Sequence, residues 1–221
     1  MNSLSLEVFE NGVEIFQDES LYKFTADAIS LAKFCNIKHT DHVLDMCAGS
    51  GVIGLYAYSI SSCNALYFND IQPCMCELIS KNISHNGLDE RCKVVCKDLH
   101  DLQVDDFAKR LDVIICNPPY FKLNSGDVKQ DRRIAMCRHE IATNLNKIIS
   151  KAGELIKDGG KFYLCIPADR MSEAIVLLEE NKFATKRMQI IFNRKEARLC
   201  LLESVKNGKS GMRITMVEEG L

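Results

Sequence analysis

Residues 42–54 read H-V-L-D-M-C-A-G-S-G-V-I-G. An aliphatic run holding one acid passes into closely spaced glycines, and these open an apolar stretch of helical character. This strand, turn and helix is the form in which an open α/β sheet offers a ligand site at the carboxyl end of its strands. Gly49 and Gly51 remove the Cβ atoms that would hold a cofactor off the backbone, and Gly54 lets helix and strand approach closely. Asp70, 19 residues beyond Gly51, closes the next apolar run and is placed to accept from two ribose hydroxyls. Loop and acid together indicate a nucleoside-bearing cofactor.

The loop alone leaves the cofactor's identity open, because G-x-G-x-x-G followed by an acid is also the dinucleotide fingerprint of nicotinamide dehydrogenases. Three features favour S-adenosylmethionine. Asp45 precedes the first glycine by four residues, Asp98 follows the third strand where it could accept from an adenine amino group, and the chain ends in an antiparallel pair. Asp98 is also explained as a turn cap within K-D-L-H-D-L.

Outward from the loop, apolar runs alternate with amphipathic ones: N-A-L-Y-F before I-Q-P-C-M-C-E-L-I-S-K-N-I, then C-K-V-V-C, D-V-I-I-C, a long helix near Arg138 to Ile156 stopped by Asp158-Gly159-Gly160, and K-F-Y-L-C-I-P. Such alternation predicts βα units on a parallel sheet with helices on both faces. K-R-M-Q-I-I-F and A-R-L-C-L-L-E-S-V are too close in sequence for a crossover and must pair antiparallel. The expectation is a mostly parallel, seven-stranded sheet with an antiparallel C-terminal hairpin. Residues 1–221 read as a single domain, with a short extension over 1–40: a small hairpin in V-E-I-F-Q-D-E-S-L-Y-K-F and a helix capped at Thr25.

Composition excludes several classes. With 47% hydrophobic and 26% charged residues the chain can bury a full core. No window approaches a membrane span and the N-terminus lacks a signal-peptide pattern, so a cytoplasmic protein is expected. The 11 cysteines sit mostly within apolar runs without paired C-x-x-C spacing, which predicts reduced thiols and no metal site. The net charge of −2 conceals an asymmetry: residues 1–120 carry 9 Lys/Arg against 17 Asp/Glu, and residues 121–221 carry 19 against 13. A basic second half suits a polyanionic partner, although solvated helix faces would give the same count.

The run D-V-I-I-C leaves its strand through Asn117-Pro118-Pro119-Tyr120. An exocyclic amino group conjugated to a ring is a poor nucleophile, because its lone pair is delocalised. Two acceptors, the Asn117 side-chain oxygen and the Pro118 carbonyl, would orient its hydrogens and direct the lone pair at a methyl donor. Proline fixes the backbone that aims these acceptors. Tyr120 offers a face on which an extruded base can stack.

At these residues the chain resembles the class I S-adenosylmethionine-dependent methyltransferases that modify planar amino nitrogens. It is most similar to the tRNA1(Val) adenine-37 N6-methyltransferase family. The likeness covers roughly Val13 to Lys206 and rests on K-F-T-A-D-A-I-S-L-A-K-F, D-M-C-A-G-S-G, N-D-I, K-D-L, N-P-P-Y, C-R-H-E and K-E-A-R-L-C-L-L-E. It implies a Rossmann-like fold and a cofactor site of Asp45, Ala48, Gly49, Gly51, Asp70, Ile71, Asp98, Leu99 and Asn117. The target adenine would meet Asn117, Pro118, Pro119 and Tyr120. The family loop usually has glycine where this chain has Cys47, and an aliphatic-proline pair where it has Ile53-Gly54.

Glutamine methyltransferases acting on peptide-release factors share the N-P-P-Y loop but usually carry a helical domain ahead of the core, and DNA adenine methyltransferases add a recognition domain. Structured RNA, a tRNA, is therefore the expected partner, gripped by Lys122, Lys129, Arg132, Arg133, Arg138, Arg194 and Lys195. Against this, 129–133 could be a solvated loop and Arg138 a partner for Glu140 or Asp112. A non-catalytic RNA-binding factor that keeps the cofactor loop stays as a competing reading.

Overall fold

The computed structural model describes residues 4–18, 26–118, 145–194 and 196–219. Its sheet grows from the loop strand. β3 (His42–Met46) pairs parallel with β4 (Ala65–Asp70) on one side and with β6 (Leu111–Cys116) on the other, and β5 (Cys92–Cys96) extends the β4 side. Beyond β6 lie β7 (Ile156–Pro167), β9 (Glu196–Lys206), β8 (Phe183–Asn193) and β10 (Arg213–Glu218), giving the order β10-β8-β9-β7-β6-β3-β4-β5. The chain builds toward one edge through β4 and β5 and then returns past β3, so the switch point falls between β3 and β6. Ligands bind at this crevice in open α/β sheets.

The strands are apolar on both faces because both faces are covered. Val43, Phe68, Val113, Ile115 and Tyr163 join one core with α1 (Ala26–Phe34), α2 (Val52–Ser61) and α3 (Pro73–His85). Leu44, Met46, Ile114, Phe162 and Leu164 join the other with α4 (Leu145–Leu155) and α5 (Met171–Glu180). Alternate residues of one strand thus enter opposite cores, as a pleat with period two requires.

The expected antiparallel hairpin is β8–β9, turning between Asn193 and Glu196 with Arg194 at φ 57°. The sheet holds one strand more than the expected seven: β10, exposed along its length, pairs parallel with β8 at the edge. Two boundaries also differ. The long helix stops at Leu155, and Ile156 already pairs with Leu111. Residues 157–160 then form a bulge before Lys161 resumes opposite Val113. An N-terminal hairpin is formed by β2 (Glu14–Asp18) pairing antiparallel with β1 (Leu4–Val8) upstream, and the second half of the hairpin expected over 13–24 lies outside the described residues. Asn11-Gly12, with Gly12 at φ 83°, supplies the tight turn. The Thr25 cap and the first half of the long helix lie outside the described residues.

Candidate functional site

The glycine turn is held in left-handed backbone: Cys47 at φ 60°, Gly49 at 57° and Gly51 at 80°. The Ala48 N–H donates to the Asn69 carbonyl at 2.9 Å and the Gly51 N–H to the Ala48 carbonyl at 2.9 Å. Among the described residues a Cβ on Gly49 would meet nothing within 4 Å, so they leave open space above the loop there. A Cβ on Gly54 would lie 2.5 Å from the Phe68 ring and 3.0 Å from Asp45 Oδ2. This is the close packing of helix on strand expected of the third glycine.

Asp45 sits beneath the loop, fully buried. Its Oδ2 accepts from the Gly54 N–H at 2.8 Å, while Oδ1 has no hydrogen-bond partner among the described residues. Burial pushes its carboxyl up to about 8 against the opposing Gly54 hydrogen bond. Asp70, also buried, accepts from the Gln72 N–H through Oδ1 and from the Gly49 N–H through Oδ2, each at 3.0 Å. Burial raises its pKa too, with these bonds working the other way.

Asp70 and Ile71 open onto a cavity of about 460 Å³ together with Asp98 and Leu99. Four residues expected at the cofactor are thereby brought to one wall. Asp98 caps the short 3-10 turn Leu99–Asp101, its Oδ1 accepting from the His100 N–H at 2.8 Å. The turn-cap reading of Asp98 therefore holds, and the capping residue also lines the cavity. Ala48, Gly49 and Gly51 form the adjoining loop, with Asp45 below it rather than on the cavity wall.

Asn117, half-buried, and Pro118, buried, follow β6, whose last residue Cys116 pairs in register with Met46. The amide-proline step thus leaves the sheet alongside the glycine loop. Burial and the neighbouring Cys47 thiol both drive the Cys116 thiol pKa well up, so Cys116 is held as a neutral thiol. Pro119, Tyr120, Lys122, Lys129, Arg132, Arg133, Arg138 and Lys195 lie outside the described residues. Arg194 is exposed at the β8–β9 turn. Since β9 runs antiparallel to β7, with Leu199 opposite Pro167, that turn lies at the carboxyl edge of the parallel strands, the edge that carries the site.

Sequence reasoning missed part of the wall. Beside Cys47, which the sequence already marked as a departure in the loop, Asn69, Lys97 and His100 line the cavity, and Asn146, Lys147 and Ser150 line it from α4. The α4 residues belong to an amphipathic helix whose pattern reports only its packed face. Among the described residues no cluster of metal-ligating side chains forms.

A doubly wound sheet with a glycine loop, an acid at the end of the next strand and an Asn-Pro step at the switch point is the class I methyltransferase fold. A sequence model of the methyltransferase small domain family matches residues 25–189, and the chain belongs to that family. It is 24% identical over 179 residues to the tRNA1(Val) (adenine(37)-N6)-methyltransferase of Flavobacteriaceae bacterium strain 3519-10, covering 80% of this chain and 74% of the relative. To the enzyme of that name from Porphyromonas gingivalis strain W83 it is 28% identical, covering 66% of this chain and 58% of the relative. Among solved structures, a predicted O-methyltransferase from Agrobacterium tumefaciens superposes with a TM-score of 0.68 at 17% identity, over 88% of this chain and 89% of the other. M. jannaschii TYW2 in complex with AdoMet does so with 0.66 at 16% identity, over 92% and 86%. Both share the fold.

Proposed function

We propose that the protein uses S-adenosylmethionine to methylate N6 of an adenine in tRNA, the activity named for its relatives, with adenine 37 of tRNA1(Val) as the target. The observation that carries this reading is the placement of Asn117-Pro118 beside the glycine loop across the β3–β6 pair, next to the cavity lined by Asp70 and Asp98. The site fits the cofactor. The described residues leave open space over Gly49, and they offer an acid for the ribose at Asp70 and a second acid for the base at Asp98. Asp45 adds a buried oxygen, without a partner among the described residues, beneath the part of the loop that would receive the cationic methionine end.

When bound, S-adenosylmethionine supplies a methyl group on a positively charged sulfur. Asp70 would hold the ribose hydroxyls, and Asp98 with Leu99 and Ile71 the adenine. The Asn117 side-chain oxygen and the Pro118 carbonyl accept the two hydrogens of the target amino group. This fixes the nitrogen and turns its lone pair out of the ring. Once alkylated, that nitrogen is acidic enough to lose its proton without a strong base. In the same reading Tyr120 stacks on the extruded base, and the basic residues between Lys122 and Arg138 grip phosphates with Arg194 and Lys195. Residues 1–221 then act as one domain, in the cytoplasm where tRNA is modified.

Incubation with tritiated S-adenosylmethionine and separated tRNA, ribosomal RNA and release-factor protein, followed by digestion, tests the reading. N6-methyladenosine in a valine tRNA is the expected product. Label in a release-factor glutamine would keep the Asn-Pro chemistry and replace the substrate, and label in no fraction would remove the enzymatic reading.

A further inference from the structure

Asn69 is an amide in the buried strand run A-L-Y-F-N-D and is only 2% exposed. Buried polar side chains in a strand persist where their hydrogen-bonding capacity is used. Both hydrogens of its Nδ2 are used, one on the Val95 carbonyl and one on the Lys97 carbonyl, each at 2.9 Å. Its own backbone carbonyl accepts from the Ala48 N–H in the glycine loop. Lys97 lies past the last β4–β5 pair, Asp70 opposite Cys96. The chain there has left the strand pairing, and the Asn69 side chain reaches across to hold the carbonyl immediately before Asp98.

We propose that Asn69 is a positioning residue for the base of the cofactor: its two-hydrogen clamp sets where Asp98 stands against the adenine amino group, and so sets the preference for adenine over other bases. This rests on Asp98 being the acceptor for that amino group. The clamp needs an amide. Leucine would strand two carbonyls without donors, aspartate would face them with acceptors, and serine can serve only one. Asn69 borders the same cavity as Asp98, but both of its Nδ2 hydrogens are spent on backbone carbonyls, so it works through Lys97. Asp70 keeps its own bonds to Gly49 and Gln72, so the ribose half of the site is held separately.

The test is calorimetric binding of S-adenosylhomocysteine and of its hypoxanthine counterpart, S-inosylhomocysteine, to the wild type and to Asn69→Ala, Asn69→Ser, Asp98→Ala and the Asn69→Ala/Asp98→Ala pair. The wild type should prefer the adenine ligand by about tenfold, the scale of one hydrogen bond to a charged group. Asp98→Ala should erase the preference. Asn69→Ala should reduce it to within about twofold, Asn69→Ser should fall between, and the double variant should match Asp98→Ala. The preference is a ratio within each variant, so a general loss of stability does not imitate the effect. Should Asn69→Ala fail to fold, Asn69→Ser decides. Equal weakening of both ligands with the preference intact would overturn the role of Asn69. A preference that survives Asp98→Ala would overturn the Asp98 reading itself, a distinct outcome.

Discussion

Cys47 occupies a left-handed backbone position at the heart of the site, where a side chain costs of order 1 kcal/mol. Glycine accepts that conformation without strain, although it also loosens the unfolded chain. Cys47→Gly is therefore expected to stabilise the protein by about 0.5–1 kcal/mol, read as a rise of about 2–3 °C in Tm. A fall would show that the thiol's contacts outweigh the strain. Asn117→Ala should lower methyl transfer by at least about 100-fold while S-adenosylhomocysteine binding stays within a factor of a few. Unchanged transfer would remove Asn117 from the chemistry.

Asp45 makes stability depend on pH. Its folded value of about 8 stands above the unfolded carboxylate value near 3.9, so the folded state keeps a proton that the unfolded state has released. The contribution is fully present below about pH 4 and is lost as pH rises through about 8. Denaturant unfolding between pH 5 and 8 should show apo stability falling with pH, and Asp45→Asn should flatten that slope. A slope unchanged in the variant would place its origin elsewhere.

Among the elements, the β6–β7 junction explains why the helix ends earlier than Asp158-Gly159-Gly160 suggested. The bulge brings backbone so close that a Cβ on Gly160 would lie 2.6 Å from Ile156 Cγ1, 2.9 Å from the Lys157 carbonyl and 3.1 Å from that of Asp112. Two of these neighbours are backbone and cannot swing away. Gly160→Ala should cost about 1–3 kcal/mol, measured by denaturant unfolding, and a neutral result would mean that the bulge shifts freely. The sequence signalled a stop through the glycines, but only the return of Ile156 to Leu111 locates it. Legibility elsewhere follows the same distinction. The glycine loop and Asp70 could be read because their groups lie close along the chain. The Asn69 clamp could not, since its partners are 26 and 28 residues away. β10 was missed because Ile214, Met216 and Val217 are all exposed, leaving no alternation of buried and solvated positions to recognise.

For the whole molecule, the acidic first half and basic second half meet across the sheet, and the carboxyl edge carries both the glycine loop and Arg194. Arg194→Glu should weaken tRNA binding and lower the slope of log affinity against log salt by about one to two. Affinity and slope equal to wild type would take the hairpin out of the interface. S-adenosylhomocysteine at about 100 times its Kd should stabilise the fold by about 2.7 kcal/mol, while NAD should leave Tm unchanged. The reverse would restore the dinucleotide reading that the glycine pattern by itself allowed.

The N-terminal hairpin is fastened by amides rather than by a sheet. Asn82 of α3 accepts from the Phe16 N–H and donates to the Phe16 carbonyl and to Ser50 in the glycine loop, and Asn86 pairs likewise with the N–H and carbonyl of Glu14. These partners are 66 and 72 residues apart in the chain. During synthesis at about 5–20 residues per second the hairpin waits roughly 3–14 seconds for its anchors to be made, and a lone two-stranded hairpin is marginal in water. Leu4, Leu6 and Val8, exposed even in the finished protein, are bare throughout that interval. The hairpin is thus made before the helix that secures it, and its link through Asn82 to Ser50 of the glycine loop can form only after α3 has formed.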